Sequence, residues 1–428
     1  MSEIFEMKNN LRGDLIIPGD KSVTHRAVIL GALAEGVTRI RHYLNADDCR
    51  NTINIIRHLS INVEEEEPGV LLVHGNGLYG LRKPPHVLNA GNSTTTIRLL
   101  SGVLAAQRFS SELSADASVM QKPMREILFP LQSMGANVAS KKGNDCVPFL
   151  IRPSKIKGIL YNSPIASTQI KSSILFAALF GDKETIIKEP YPSRNHTEHL
   201  LEAFGVSVDE GYYSTRLCPP KKLQAADIYV PGDISSAAYL ITAALITKGS
   251  EIMLRGVDMN PTRNGFIDAV KSMGADIEVI THSEQGPAMA DLLVRSSNLH
   301  GVTLEGSIIP RVLDEIPILM VLACFAQGRT VIRDAGELQV KESGRLEIMA
   351  QYLNRMGARV SLTDDGIIVD GGTPMHGIII GTKYDHRIAM SFAIAALASS
   401  GKTEIIGSEC VGVSYPHFYE TLKSLFTV

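Results

Sequence analysis

Ile267-Asp-Ala-Val-Lys-Ser-Met-Gly-Ala-Asp-Ile277 runs an amphipathic segment into a glycine, then a small residue, then a β-branched one. That order reads as a helix ended by a glycine in the left-handed conformation and followed at once by a strand. The same order recurs as Met134-Gly-Ala-Asn-Val138, Phe204-Gly-Val-Ser-Val208 and Met356-Gly-Ala-Arg-Val360, with a copy lacking the glycine at Leu59-Ser-Ile-Asn-Val63. Phe204 lies 70 residues after Met134, Met273 lies 69 after Phe204, and Met356 lies 83 after Met273. A second pattern alternates with the first: an Ala/Leu-rich helix ends in glycine and gives way to a strand, as at Gly36-Val-Thr-Arg-Ile40, Gly328-Arg-Thr-Val-Ile332 and Gly401-Lys-Thr-Glu-Ile405. Dividing 428 residues by six gives about 71, so six helix–strand–helix–strand units fit the chain, whereas the short helical repeats of solenoids do not.

Two near-identical segments punctuate these units. Leu15-Ile-Ile-Pro-Gly-Asp-Lys-Ser22 resembles Ile228-Tyr-Val-Pro-Gly-Asp-Ile-Ser235. Each reads as a strand, a Pro-Gly turn and a serine that caps a helix. Pro18–Asp20 and Pro231–Asp233 are therefore expected to be two crossings between two domains. One would hold residues 20–231 and the other residues 1–19 with 232–428, with three units each and a cleft able to close on a ligand.

The composition sets limits. Hydrophobic residues make up 44% and charged residues 20%, which fits a soluble globular protein and not a disordered one. A formal net charge of −3 gives no global attraction to nucleic acid, so an anion site must be built locally. No window approaches a membrane span, and MSEIFEMKNN lacks the basic-then-apolar order of a signal peptide, so a cytoplasmic protein is expected. Cys49, Cys146, Cys218, Cys324 and Cys410 are odd in number and widely spaced, which predicts reduced, buried thiols.

Charged and small polar residues gather where the units begin helices. In Gly19-Asp-Lys-Ser-Val-Thr-His-Arg26, with Ser22 as the cap, Ser22 and Arg26 share a face and Lys21 stands beside the positive helix end, which makes an anion site. Gly91-Asn-Ser-Thr-Thr-Thr-Ile-Arg98 and Ser167-Thr-Gln169 open further helices and leave backbone N–H groups accessible. Arg194-Asn-His-Thr-Glu198 precedes another. His196 and His199 are three apart, but without a third ligand they do not predict a metal. Asp314 and Glu315 interrupt an apolar segment, and a partly desolvated Asp314 suits a general base. Lys341, Glu342 and Arg345 share one stretch, and Arg387 opens the apolar helix at 388–397. If the units are arranged alike, seven cations would meet at the cleft: Lys21, Arg26, Lys122, Arg194, Lys341, Arg345 and Arg387. Such a site takes small phosphorylated or carboxylated substrates.

The motifs PGDKSVTHR (18–26), GNSTTTIR (91–98), SRNHTE (193–198), PGDISSAA (231–238), PRVLDEIP (310–317), KESGR (341–345) and DHRIAM (385–390) resemble the enolpyruvyl transferase family over nearly the whole chain. Within it they are similar to the branch acting on shikimate 3-phosphate. The branch acting on UDP-N-acetylglucosamine carries a different opening motif and a loop cysteine. The resemblance implies a two-domain inside-out α/β barrel-like fold and no need of a metal or organic cofactor; because no long unbroken apolar stripe is left over, a monomer is expected. It implies transfer of the enolpyruvyl group of phosphoenolpyruvate to the 5-hydroxyl of shikimate 3-phosphate, with release of phosphate through a tetrahedral intermediate. Shikimate 3-phosphate would then meet Lys21, Ser22, Arg26, Ser167, Gln169, Arg194, Asp314 and Lys341. Phosphoenolpyruvate would meet Lys21, Thr94, Lys122, Gln169, Arg345 and Arg387. Asp314 would accept the hydroxyl proton, and Glu342 and Lys21 would be candidates to protonate the methylene carbon. Four positions depart from the family pattern: Thr94 and Tyr384 replace glycine, Lys122 replaces arginine, and Gly344 replaces a polar residue. They leave two alternatives open, a paralogue using another acceptor alcohol and a binding protein without turnover.

Overall fold

The computed structural model describes residues 1–117, 119–282, 288–336 and 344–426. The chain divides into two compact units, Gly19–Val230 and Met1–Pro18 with Pro231–Val428. Each is mixed α/β and has its own apolar core, one running from Val23 to Val230 and the other from Phe5 to Leu425.

Three helices in each unit are buried nearly all round. In Gly19–Val230 they are Lys21–Leu33, Thr94–Leu104 and Thr168–Ala178; in the other unit they are Ile234–Ile246, Ile316–Phe325 and His386–Ala396. In Ile234–Ile246, 12 of 13 residues are buried, whereas in Asp47–His58 only six of 12 are. The first kind packs against other helices and a sheet; the second covers the outside with one face.

The glycines of the recurring pattern act as the sequence requires. Gly135, Gly205, Gly274 and Gly357 have φ of +88°, +80°, +90° and +103°. They follow helices capped at Met134, Phe204, Met273 and Met356, and strands start two or three residues later, at Asn137, Val208, Asp276 and Arg359. In the fifth copy Ser60 takes the same place with φ +67°. The second pattern differs from expectation at its first copy. The helix ends at Leu33, the strand Ala34–Arg41 has already begun, and Gly36 (φ +108°) lies inside it opposite Gly75.

Each unit contains three sheets among the described residues, and the wiring recurs. Leu88–Asn89 runs parallel to Ser111–Ser114; that strand pairs antiparallel with Phe149–Arg152, which pairs antiparallel with Asn137–Ser140. Thr303–Leu304, Gly328–Ile332, Ile367–Gly371 and Arg359–Leu362 repeat the pattern. The repeat therefore ends in a hairpin and adds a short parallel strand, two strands more than the helix–strand–helix–strand reading allowed. The segments before the two Pro-Gly-Asp turns are exchanged. Arg12–Ile16 adds in parallel to Glu251–Asp258, although the helix that follows it is Lys21–Leu33. Asp227–Tyr229 adds in parallel to Ala34–Arg41, although the helix that follows it is Ile234–Ile246. Ser2–Glu6 pairs antiparallel with Lys402–Ile406 and completes the last sheet.

Four of the five cysteines are buried; Cys218, expected inside, is exposed, because it lies where the chain leaves the strand Ser214–Leu217 ahead of Pro219 and Pro220. Among the described residues no helix is long and apolar enough to cross a membrane.

Ser60 holds a left-handed backbone without being glycine, so Ser60→Gly is expected to stabilise the fold by about 0.5–1 kcal/mol. A rise in the denaturant midpoint at unchanged m-value checks it; a fall contradicts it.

Candidate active site

The Gly19–Val230 unit gathers polar groups at the beginnings of its buried helices. Asp20, not Ser22, caps Lys21–Leu33: its carboxylate accepts from Val23 N at 2.8 Å. A carboxylate at the positive helix end is favoured over a hydroxyl further along, and Ser22 falls inside the first turn, where its carbonyl accepts from Arg26 Nη1 at 2.9 Å. The twin segment behaves alike, with Asp233 accepting from Ser235 N at 2.9 Å.

Lys21 Nζ lies 3.0 Å from Asp48, whose other oxygen lies 3.3 Å from His25 Nε2. From His25 Nδ1 a chain of bonds runs to Thr52 (2.7 Å), on to Thr96 (2.7 Å) and to Ser93 (2.6 Å), the cap of Thr94–Leu104. Burial alone would raise the pKa of Asp48, but Lys21 and His25 outweigh it and hold the carboxyl far below the usual range. Thr94 is the first residue of its helix and half-buried. Gln169 joins the next helix: its Nε2 donates to Thr95 Oγ1 at 3.1 Å, and its Oε1 accepts from Arg98, which also reaches Glu126 at 2.9 Å. This contact needs the two helices close, and Gly102 permits it, since a Cβ there would stand 2.1 Å from Ser173 O. Ser167 is buried just before Thr168, although its side chain makes no capping bond.

Arg26 is 1% exposed. Its Nε donates to Thr197 Oγ1 at 2.7 Å and its Nη2 to Ser172 Oγ at 2.8 Å, so it ties three helices together. Burial, with a smaller push from Arg194, lowers its pKa to about 10 against the pull of Asp20 and Glu198. Arg194 is half-buried, in a segment fixed by Lys171, which reaches Glu198 at 2.7 Å, Glu189 at 3.2 Å and Ser193 O at 3.3 Å. Lys122 is half-buried, in the turn before Arg125–Ser133.

In the other unit the start of His386–Ala396 is the focus. Asp385 caps it, accepting from Arg387 N at 2.8 Å, and accepts from Arg345 Nε at 2.6 Å. Burial would raise this carboxyl, yet Arg345 and His386 hold it down at about 2. Arg387 turns to Asp314, with Nη2 3.0 Å from Oδ1 and Nη1 2.5 Å from the carbonyl. Beneath lies a second network, in which Arg263 bonds both oxygens of Glu315 at 3.0 Å and lies 4.0 Å from Asp314. Asp314, Arg345 and Arg387, remote in sequence, thus belong to one cluster. Gly344 has φ +88°, which suits glycine just ahead of Arg345, and Tyr384 sits at φ +59°, a backbone where glycine costs less. Lys341 and Glu342 lie outside the described residues. Among the described residues no group of three His, Cys, Asp or Glu side chains could hold a metal ion.

Asp48, Arg98, Glu126, Arg263 and Glu315 belong to these bonded networks, and sequence reasoning gave them no role. The only signal for Asp48 was its place in the first turn of an amphipathic helix.

A depressed carboxyl stabilises the fold fully above its unfolded value of about 4, and that stabilisation is lost as pH falls toward the folded value. Asp48→Asn is therefore expected to cost about 2–4 kcal/mol at neutral pH and to flatten the loss of stability below about pH 4. Urea titrations across that range test it; an acid limb as steep as the parent's would contradict it.

A family model described as EPSP synthase (3-phosphoshikimate 1-carboxyvinyltransferase) matches residues 5–422. The 3-phosphoshikimate 1-carboxyvinyltransferase of Thermoanaerobacter sp. (strain X514) is 46% identical over 420 residues, 98% of each chain. That of Desulforamulus reducens is 44% identical over 427 residues, 99% of each chain. The solved structure of EPSP synthase from Acinetobacter baumannii superposes with a TM-score of 0.88 at 40% identity, covering 99% of this chain and 98% of that one. The enolpyruvyl transferase NikO of Streptomyces tendae, at 18% identity and a TM-score of 0.81, shares the fold. With a full-length family match, such relatives and a matching two-domain α/β structure, the chain belongs to the EPSP synthase family of transferases.

Proposed function

We propose that the protein transfers the enolpyruvyl group of phosphoenolpyruvate to the 5-hydroxyl of shikimate 3-phosphate and releases phosphate. In this reading it is a cytoplasmic monomer whose six repeat units form an inside-out α/β barrel in each of two domains, hinged at Pro18–Asp20 and Pro231–Asp233. Lys21, Ser22, Arg26, Ser167, Gln169, Arg194, Asp314 and Lys341 serve shikimate 3-phosphate; Lys21, Thr94, Lys122, Gln169, Arg345 and Arg387 serve phosphoenolpyruvate. The buried Arg26 also bonds Ser22 and Thr197, which supports a share in positioning the residues around it.

The observation that carries this reading is the pairing of Asp314 with Arg387. A carboxylate bonded to a guanidinium is a weak base. An incoming anion that takes over Arg387 releases Asp314, which then accepts the 5-hydroxyl proton as the oxygen attacks. Substrate binding would thus create the base at the moment it is needed. Lys21 or Glu342 delivers the proton to the methylene carbon; the tetrahedral intermediate then gives up a proton from the methyl group so formed, which restores the vinyl double bond as phosphate leaves. Fixed cations stabilise its growing charge.

Turnover with both substrates should release phosphate in the parent. Asp314→Ala should lower kcat by about 100-fold or more. No phosphate from the parent, release only with other phosphorylated alcohols, or an undiminished variant would defeat the reading.

Thr94 fills space on the phosphoenolpyruvate side, so inhibition by glyphosate, a bulkier occupant, is expected to be weak. Thr94→Gly should lower its inhibition constant; an unchanged constant would remove Thr94 from the pocket.

A further inference from the structure

Thr94–Leu104 and Thr168–Ala178 carry the site's polar groups on their first turns. At their other ends, about 16 Å along each helix, the same unit holds a cleft. It has a volume of about 550 Å³ and is lined by Tyr79, Arg108, Ser154, Lys155, Ile156 and Phe180 among others. That size suits a small organic molecule.

The lining is aromatic and cationic. The Tyr79 ring meets Phe180 edge-on at 5.3 Å, and the Arg108 guanidinium lies 4.5 Å over Tyr79. Tyr79 is 46% exposed, a large apolar surface left open to solvent. A cation after a helix end ordinarily serves the last carbonyls, but here the backbone does so. Gln107 N donates to Leu104 O, Phe180 N to Ala177 O and Gly181 N to Ala178 O, at 3.0–3.1 Å. Arg108 lies on a ring instead. The lining carboxylate, Asp182, accepts from Gly158 N at 2.9 Å. Two cations and one engaged carboxylate leave the cleft positive.

We propose that this cleft binds a flat aromatic ring bearing one carboxylate. The ring stacks on Tyr79 and Phe180, and the carboxylate is held by Arg108 and Lys155. A bare inorganic anion would leave the rings unused, and an aromatic amine would meet like charge. The site is independent of the chemistry proposed above.

The chain has no tryptophan, so a bound indole acid is the one indole emitter in the sample. The full-length protein is titrated with indole-3-propanoate, and the ligand's fluorescence anisotropy is followed. Saturable binding is expected, weakened about tenfold or more by Arg108→Ala and by Tyr79→Ser, with turnover and melting temperature unchanged. The uncharged indole-3-propanol should bind at least about tenfold more weakly, as a neutral group forfeits the charge-assisted bonds. Saturating phosphoenolpyruvate and shikimate 3-phosphate should not displace the acid. Absent saturation, indifference to both substitutions, equal binding of the alcohol, or displacement by those two substrates would each overturn the proposal.

Discussion

A helix buried along its sides still has to satisfy the N–H groups of its first turn, and here carboxylates meet that demand at three of the buried helices. Asp20, Asp233 and Asp385 each turn a side chain back onto the helix they open. The cap decides where the helix starts, and so where the next residues point. Lys21 follows Asp20 directly, and Arg387 stands two residues after Asp385. Asp385 has two tasks, because the carboxylate that caps the helix also holds Arg345. Removing such a cap would disturb the cations before it disturbed the core.

Several cations of each unit are matched by carboxylates of the same unit. Lys21 has Asp48, Arg387 has Asp314, and Lys171 has Glu189 and Glu198. This reconciles a local wealth of positive charge with a net charge of −3. It also stiffens the site, since an ion-paired guanidinium with fixed neighbours loses little freedom when a ligand arrives. The ligand has to compete with a carboxylate already present, which favours dianionic phosphates over singly charged groups.

What the sequence disclosed follows the range of the interaction. The glycine stops were legible because a left-handed residue after an amphipathic run is a local signal, and Gly135, Gly205, Gly274 and Gly357 all carry it. The serine caps were misread because Pro-Gly-Asp-x-Ser offers two capping residues two positions apart. The hairpin strands went uncounted because runs such as Val70–Asn76 carry no repeated marker. Asp314 and Arg387 were each conspicuous, but their pairing spans 73 residues and is fixed only by packing. Arg98 was given no role for the same reason, since Gln169 lies 71 residues away. The burial of Arg26 could not be read from a motif that looks basic and solvated.

The exchanged strands have a consequence for biosynthesis. Ser2–Glu6 and Arg12–Ile16 are made well before their partners, Lys402–Ile406 and Glu251–Asp258. Gly19–Val230 contains all of its own pairings and can mature while translation continues. Arg12–Ile16 can pair once residues 251–258 have been made, but Ser2–Glu6 must wait, unpaired, for residues 402–406. A nascent chain stalled before residue 402 therefore carries a finished inserted unit behind an exposed β-edge, a species that chaperones would be expected to recognise.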